Sequence, residues 1–214
     1  METNQTNEAD FSTKLSVAAQ NPNDPSGRVT VLLRTFKSDD PYEIIDSNIS
    51  FINYLLRGYL KQDEIPYDAL KSYYVDYYLA QVNNGGMSQF AYNSRMTPQV
   101  RKVVRDGLEA IGADQHLELF GKFEALFDSL SIEQRKTFFE SDYFGDNQLR
   151  DKLNSLKDDF YTLNEKEDIL QLNSKWLKEL PNLSTLLAAE LVAEAERRFA
   201  LVSEEEMASR KKGF

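Results

Sequence analysis

Apolar residues recur every three or four positions through most of the chain from Ser38 onward. In the first such stretch, Ile45, Ile49, Ile52 and Leu56 show this spacing. It gathers apolar side chains on one face of an α-helix, whereas a half-buried strand would alternate apolar and polar residues. The pattern predicts an all-α fold, a single compact helical domain of about seven to nine helices with a short, less regular N-terminal extension.

Several helices should begin at recognisable signals. Pro41 follows a run of Ser and Asp residues, and Thr97 precedes Pro98, which suits the first position of a helix. Ser131 and Gln134 have the spacing of a capping box. Further helices are predicted over residues 66–82, 114–128, 147–163, 166–180 and 184–208.

The domain organisation follows from these limits. We expect an N-terminal extension at residues 1–37 that is partly disordered or loosely packed, a helical domain at 38–208 and a frayed tail at 209–214. Within the extension, "FSTKLSVAAQ" suits a short helix and "NPNDPSG" a linker. The β-branched "RVTVLLRTF" that follows has no recognisable partner strand, so we interpret it as extended chain or as the start of a helix.

The stretch "QVNNGGMSQFAYN" interrupts the helical pattern at residues 81–93. Asn and Gly adopt positive φ readily, so we interpret it as a tight corner between two helices, with positive φ at Asn84 or Gly85. Alternatively, its neutral amides could hold a small polar ligand. The residues of this corner, or alternative ligand site, are Gln81, Asn83, Asn84, Gly85, Gly86, Gln89 and Asn93.

Four tyrosines precede this corner at positions 73, 74, 77 and 78. At 100° per residue they occupy two adjacent flanks of a helix, Tyr74 with Tyr78 and Tyr73 with Tyr77. We expect at least two of them to be buried with hydrogen-bonded hydroxyls.

Charge and composition exclude several classes of function. The formal net charge of −10 repels phosphate backbones and suits a basic partner, so we expect no direct contact with nucleic acid. Cysteine is absent, which removes disulfides, thiolate nucleophiles and cysteine-based zinc sites. No signal peptide or membrane-spanning run is recognisable, so a cytoplasmic protein without membrane contact is expected.

No catalytic constellation stands out. His116 is the only histidine, and we interpret it as a surface or interface residue. Asp142 and Asp146 are four positions apart, but "DYFGDN" lacks the alternating oxygen ligands of a calcium loop. There is no phosphate-binding loop or nucleophile elbow. The sequence therefore predicts no catalytic residue, metal or cofactor, which favours a non-enzymatic function.

Acidic residues are most frequent between residues 140 and 168, where four bases are interspersed. Asp142, Asp146, Asp158 and Asp159 are the best candidates for a partner-binding face. The alternative is an ordinary solvated surface with charge pairs along its helices. A separate basic face is expected to pair with nearby acids; its residues are Arg101, Lys102 and Arg105.

Two segments resemble a known family. "LKSYYVDYYLAQVNNGGMSQFAYNS" at 70–94 and "VRDGLEAIGADQHLELF" at 104–120 are similar to the bacterial DNA-mimic-protein-type domain, long described as a domain of unknown function. "DDFYTLNEKEDILQLNSKWL" at 158–177 extends the resemblance, which covers roughly residues 40–180. The resemblance implies an all-helical fold and a protein that imitates DNA to occupy a DNA-binding protein. Its signature residues are fold residues rather than acids.

Two classes of function remain open. The first is an acidic interaction protein, a DNA mimic or an inhibitor of the immunity type, that occupies a basic site on a DNA-binding protein or a toxin. The second is a domain that binds or transforms a small polar ligand at the corner of residues 81–93. A homodimer is compatible with both classes.

Overall fold

The computed structural model describes residues 27–142 and 145–212. The helix predicted at residues 11–20 lies outside the described residues, as does the predicted linker apart from Gly27. The first helices are α1 (Leu33–Phe36), α2 (Pro41–Arg57), α3 (Tyr67–Gly85), α4 (Met87–Ser94), α5 (Pro98–Ala110) and α6 (Asp114–Asp128). The later ones are α7 (Ile132–Glu140), α8 (Gln148–Leu153), α9 (Lys157–Asn164), α10 (Ile169–Glu179), α11 (Ala188–Phe199) and α12 (Glu204–Lys212). The predicted all-α fold is confirmed, and none of these helices combines the length and apolar character needed to cross a membrane.

The predicted N-terminal caps are confirmed. The Asp40 carboxylate accepts a hydrogen bond of 2.9 Å from the backbone N–H of Tyr42 at the start of α2. Thr97 caps α5 in the same way. Ser131 and Gln134 form the reciprocal capping box of α7, with distances of 3.2 and 2.9 Å. Local sequence therefore determines where these three helices begin.

A two-stranded parallel sheet departs from the prediction. Strand β1 (Val29–Leu32) pairs with β2 (Leu183–Leu186), with Val29 opposite Leu183. The interpretation of residues 28–36 as lacking a partner strand was therefore wrong, because the partner lies far along the chain. The helix predicted at 184–208 was also wrong at its start, since that segment begins as β2 and continues as α11 and α12.

The chain divides into two compact units, with boundaries inside α3 and α10. Among the described residues, unit 1 contains 27–73 and 174–212, and unit 2 contains those between Tyr74 and Asn173. In unit 1, Val29 and Val31 of β1 are fully buried, and β1 packs against β2, α2 and α11. Burial of β-branched residues on one strand gives this small sheet a core that two strands alone would lack.

A buried arginine fastens β1 within unit 1. Arg198 of α11 is 3% exposed, and its guanidinium donates to the backbone oxygen of Arg28 and to the Thr30 hydroxyl, both at 2.9 Å. It also pairs with Glu194 at 2.8 Å and lies 5.2 Å from the ring centre of Phe51. Burial raises the pKa of Glu194, but hydrogen bonds from the neighbouring arginines outweigh it and the net pKa is lowered. A charge can be buried here because its donors are satisfied.

The core of unit 2 is aromatic. Tyr78 is fully buried, and the rings of Phe90, Phe120 and Phe160 meet it edge to face at centroid distances of 5.2 to 5.5 Å. This arrangement places the positive edge of one ring against the negative face of the next. Within the described part of the chain, the Tyr78 hydroxyl donates to the sulfur of Met87, at 3.5 Å, and burial raises the pKa of Tyr78.

The expectation that at least two of the four tyrosines are buried was wrong. Tyr73, Tyr74 and Tyr77 are half-buried, which leaves Tyr78 as the single buried member. The Tyr73 hydroxyl donates to Asn53 at 3.3 Å. Tyr78 turns inward because it meets the phenylalanines of α4, α6 and α9, which the sequence alone does not place beside it.

Candidate functional site

The four carboxylates proposed as a partner-binding face are all exposed. Asp142 follows α7, and Asp146 precedes α8 on the other side of residues 143–144. Asp158 and Asp159 lie in the first turn of α9, where negative charge stabilises the positive end of the helix dipole. The structure therefore shows accessible charge at these positions, while their role in binding a partner stays a prediction.

Other acids of the same stretch have structural roles. The Glu167 carboxylate accepts the backbone N–H groups of Gln115 and His116, at 3.3 and 2.9 Å, at the start of α6. Asp168 accepts the backbone N–H of Leu170 at 2.9 Å, at the start of α10. Because helix starts leave unpaired N–H groups, these two acids cap helices and are not available to a partner.

Asp146, Asp158 and Asp159 form no ion pair within the part of the chain that the structure describes. Asp159 does act on Lys122 of α6, whose pKa is raised mainly by its hydrogen bond to Glu118 and further by the charge of Asp159. Their charge is therefore directed to solvent, as a surface that attracts a basic partner requires.

The corner between α3 and α4 is held by its own amides. The Gln81 side-chain oxygen accepts from the amide of Gln89 at 3.1 Å and from that of Asn93 at 2.6 Å. Asn83 and Asn84 lie on the last turn of α3, where both are exposed. These mutual hydrogen bonds favour the structural interpretation of the corner, because a small ligand would have to compete with them.

Two residues from later in the chain complete the corner. The Asn154 side-chain oxygen accepts the backbone N–H of Ser88 at 2.9 Å, and its amide donates to the Gly85 oxygen at 3.4 Å. The Tyr161 hydroxyl donates to the Val82 oxygen at 3.1 Å. Side chains from later in the chain thus bind the Gly85 oxygen and an N–H at the start of α4, and they add a second donor to the Val82 oxygen, which already accepts the Gly86 N–H.

The positive φ predicted for Asn84 or Gly85 lies instead at Gly86, with φ 83° and ψ −175°. Helix α3 continues through Gly85, so the residue with positive φ comes one or two positions later than expected. A Cβ on Gly86 would lie 2.3 Å from the Asn154 oxygen. Two features therefore favour glycine at position 86: a backbone conformation that residues with a side chain rarely adopt, and the close approach of Asn154.

The interpretation of His116 as a surface or interface residue was wrong. Its side chain is fully buried in unit 2, 5.0 Å from the ring centre of Phe160. Its Nε2 lies 3.1 Å from the backbone oxygen of Glu167 and carries the proton, whereas Nδ1 has no partner among the described residues. Burial lowers the pKa of His116, and the nearby Glu167 only partly opposes this. His116 is therefore a core residue, held by its contacts with Phe160 and Glu167.

This burial predicts a pH dependence of stability. Well above the ordinary histidine pKa of 6.5, the folded and unfolded chains are both neutral at His116. Below pH 6.5 the unfolded chain binds a proton at His116, whereas the folded chain, with its lowered pKa, stays unprotonated over a wider pH range. The free energy of unfolding should therefore fall with decreasing pH, by at most about 1.4 kcal/mol per pH unit. Urea titrations between pH 7 and pH 5 should show this slope in the wild type and lose it in His116→Gln. An unchanged slope in that variant would contradict the assignment.

The basic residues of α5 form ion pairs with nearby acids, as expected, and two of them also line a cleft. Arg101 binds Asp128 through two hydrogen bonds of 2.8 Å, and Arg105 binds Glu124. Arg95, outside the predicted set, lines a cleft with Arg101, Arg105 and a further arginine of α7. The described residues hold no group of three or more His, Asp or Glu side chains that could bind a metal ion.

Comparison with known proteins identifies one family. A family model described as DMP19-like protein matches residues 63–180, more than half of the chain. This range contains the corner and all four exposed aspartates, and it begins later than the start near residue 40 suggested by the resemblance. Neither a curated protein nor a solved structure matches the chain.

Proposed function

We propose a function for this chain on the basis that it belongs to the DMP19-like protein family. It is a non-enzymatic acidic interaction protein, and it occupies a basic site on another protein in the way that DNA would occupy that site. The observation that supports this most directly is the exposure of Asp146, Asp158 and Asp159 without an ion pair in the described part of the chain. Solvated carboxylates of this kind are available to bind a partner, whereas Glu167 and Asp168 cap helices.

Electrostatics explains how such a surface would act. Duplex DNA presents one negative charge per roughly 1.7 Å of axis, so its partners carry lysine and arginine in matching positions. A net charge of −10 and a local set of exposed aspartates produce a field of the same sign. Each surface pair contributes only about 0–1 kcal/mol, and therefore the summed field governs association more than any single contact.

The same physics defines the partner. We expect a basic protein of the cytoplasm, either a DNA-binding protein or a toxin that the chain neutralises. Direct nucleic-acid binding is disfavoured by the net charge. If the chain and duplex DNA bind the same basic site, DNA should compete with the chain for the partner. Competition would therefore indicate DNA mimicry, and its absence would indicate binding at another surface.

Charge reversal tests the acidic face. Replacing Asp142, Asp146, Asp158 and Asp159 together by lysine should slow association with a purified partner about tenfold or more at low ionic strength, because steering depends on the summed charge. The difference should shrink as salt is added. Rates are measured by surface plasmon resonance at two salt concentrations, after recovery of the partner from the native host.

A control variant with the same change in net charge shows whether the position of the charge matters. The control reverses four exposed acids of unit 1, namely Asp39, Asp63, Glu196 and Glu205. It should slow association less than the first variant does. Equal rates for the wild type and the first variant at low salt would remove this face from the proposed function.

A further inference from the structure

Unit 2 contains a basic cleft of about 500 Å³ on a protein whose overall charge is negative. The cleft is lined by the arginines at positions 95, 101, 105 and 135, with Asp128 as the single lining acid. Its apolar walls include Phe127 and Phe139. The size falls within the range of small-molecule sites, and the charge is opposite to that of the proposed partner-binding face.

Two of the arginines are fixed by the protein. Arg101 uses both terminal nitrogens on Asp128 and donates from Nε to the Met96 oxygen at 3.1 Å. Arg135 donates to the backbone oxygens of Asp128 and Leu130, at 2.8 and 3.1 Å. Both guanidinium groups also lie over the ring of Phe127. Asp128 pairs with both arginines, at 2.8 and 3.6 Å, so these three groups together contribute one positive charge to the cleft, in positions fixed by the protein.

Arg95 differs from these two. It is exposed and makes no hydrogen bond or ion pair within the described residues. Its guanidinium is held by aromatic rings alone, 5.1 Å from the centre of Tyr92 and 4.8 Å from that of Phe139. Ring stacking orients the planar group and leaves its five N–H donors directed to solvent.

The backbone at Arg95 is also unusual. Arg95 and Met96 have φ angles of 56° and 47°, the left-handed conformation that a Cβ disfavours. Two hydrogen bonds of the Met96 backbone maintain this conformation. The Met96 oxygen accepts from Arg101, and the Met96 N–H donates to the Ser94 hydroxyl. Strained residues of this kind persist where the surroundings fix them, and they are frequent at ligand sites.

We infer that this cleft binds the phosphate monoester group of a small molecule, with Arg95 as the principal ligand-binding residue. A phosphate dianion offers three oxygens and two charges, which suits several guanidinium groups, whereas one arginine would satisfy a carboxylate. Arg105 is half-exposed and uses one nitrogen on Glu124, so its remaining donors can reach an anion in the cleft. This site is independent of the acidic face and does not depend on the proposed function.

Isothermal titration calorimetry with phenyl phosphate tests the inference. The wild type should bind phenyl phosphate saturably, more tightly than inorganic phosphate because the apolar walls contact the ring, and more tightly than benzoate because the dianion is preferred. Arg95→Gln should weaken binding by at least about tenfold, since it removes charged hydrogen bonds. Lys136→Gln is the matched control: it removes one exposed cation of α7, 4.0 Å from Glu140 and outside the cleft, and should leave binding unchanged.

Four results would overturn the inference. Absence of saturable binding of phenyl phosphate by the wild type would show that the cleft is not a phosphate site. Equal affinity of Arg95→Gln and Lys136→Gln, with both melting temperatures as in the wild type, would show that binding occurs elsewhere. Equal affinity for benzoate would replace the phosphate class by general anion binding, and binding of a phosphoserine peptide without phenyl phosphate would replace the small molecule by a protein.

Discussion

Replacement of Arg198 by methionine is expected to lower the free energy of unfolding by about 2 to 4 kcal/mol. Methionine fills a similar volume but cannot donate, so the Thr30 hydroxyl and the Arg28 oxygen lose their hydrogen bonds from the buried guanidinium. Glu194 keeps a second partner in Arg197, at 2.7 Å, which limits the loss. Urea denaturation monitored by circular dichroism measures the change.

Arg197 provides the control for this experiment. It pairs with the same Glu194, but its side chain is 36% exposed. Arg197→Met should therefore cost no more than about 1 kcal/mol, the usual range for exposed pairs. If the two variants lost equal stability, the burial of Arg198 against β1 would not be the source of its effect.

Replacement of Gly86 by alanine should lower the free energy of unfolding by about 2 to 4 kcal/mol. With φ 83° and ψ −175°, Gly86 occupies a region that is essentially restricted to glycine and costs about 1 to 3 kcal/mol for other residues. The new Cβ would also displace the Asn154 side chain, which lies within 2.3 Å, and break its hydrogen bond to Ser88. Thermal and urea unfolding measure the loss.

Two further variants separate backbone strain from the steric clash. Gly121→Ala places a Cβ where nothing lies within 4 Å, inside α6, and should be neutral or stabilising because alanine favours helix. Combining Gly86→Ala with Asn154→Ala removes the clash but leaves the strain, so the double variant should lose less than the sum of the two single variants. A melting temperature of Gly86→Ala equal to that of the wild type would contradict the corner geometry.

Local chemistry made much of the fold predictable. Asp40 with Pro41, Thr97 with Pro98, and Ser131 each satisfy the first N–H groups of a helix within four residues, so the signal and the structure share one stretch of sequence. The glycine-rich corner was located for the same reason. Its positive φ lies at Gly86 and not at the predicted Asn84 or Gly85, because the choice among adjacent Asn and Gly residues depends on where Asn154 approaches.

Features that depend on distant residues could not be predicted. The segment Leu183–Leu186 carries no alternating pattern, and its pairing with β1 brings together residues that local periodicity cannot connect. His116 was placed at the surface because its burial follows from contacts with Phe160 and Glu167. These contacts arise only when the helices of unit 2 have packed together.

The candidate sites show the same division. The exposure of Asp158 and Asp159 follows from their position in the first turn of a helix, which the sequence indicates. The basic cleft was recognised only in part, as Arg101 and Arg105 on one helix. Arg95 and Arg135 join them from outside that helix, and no sequence spacing relates these two positions to Arg101 and Arg105.

The pairing of β1 with β2 has a consequence for synthesis on the ribosome. Unit 2 is continuous in sequence and can fold as soon as its last residues leave the exit tunnel, whereas unit 1 needs both ends of the chain. Leu183, the partner of Val29 in the sheet, is synthesised about 150 residues later. At a translation rate of roughly 5–20 residues per second, this delay is on the order of ten seconds or more. During that interval an apolar, β-branched segment has no native partner strand, which makes it a target for chaperones in the nascent chain.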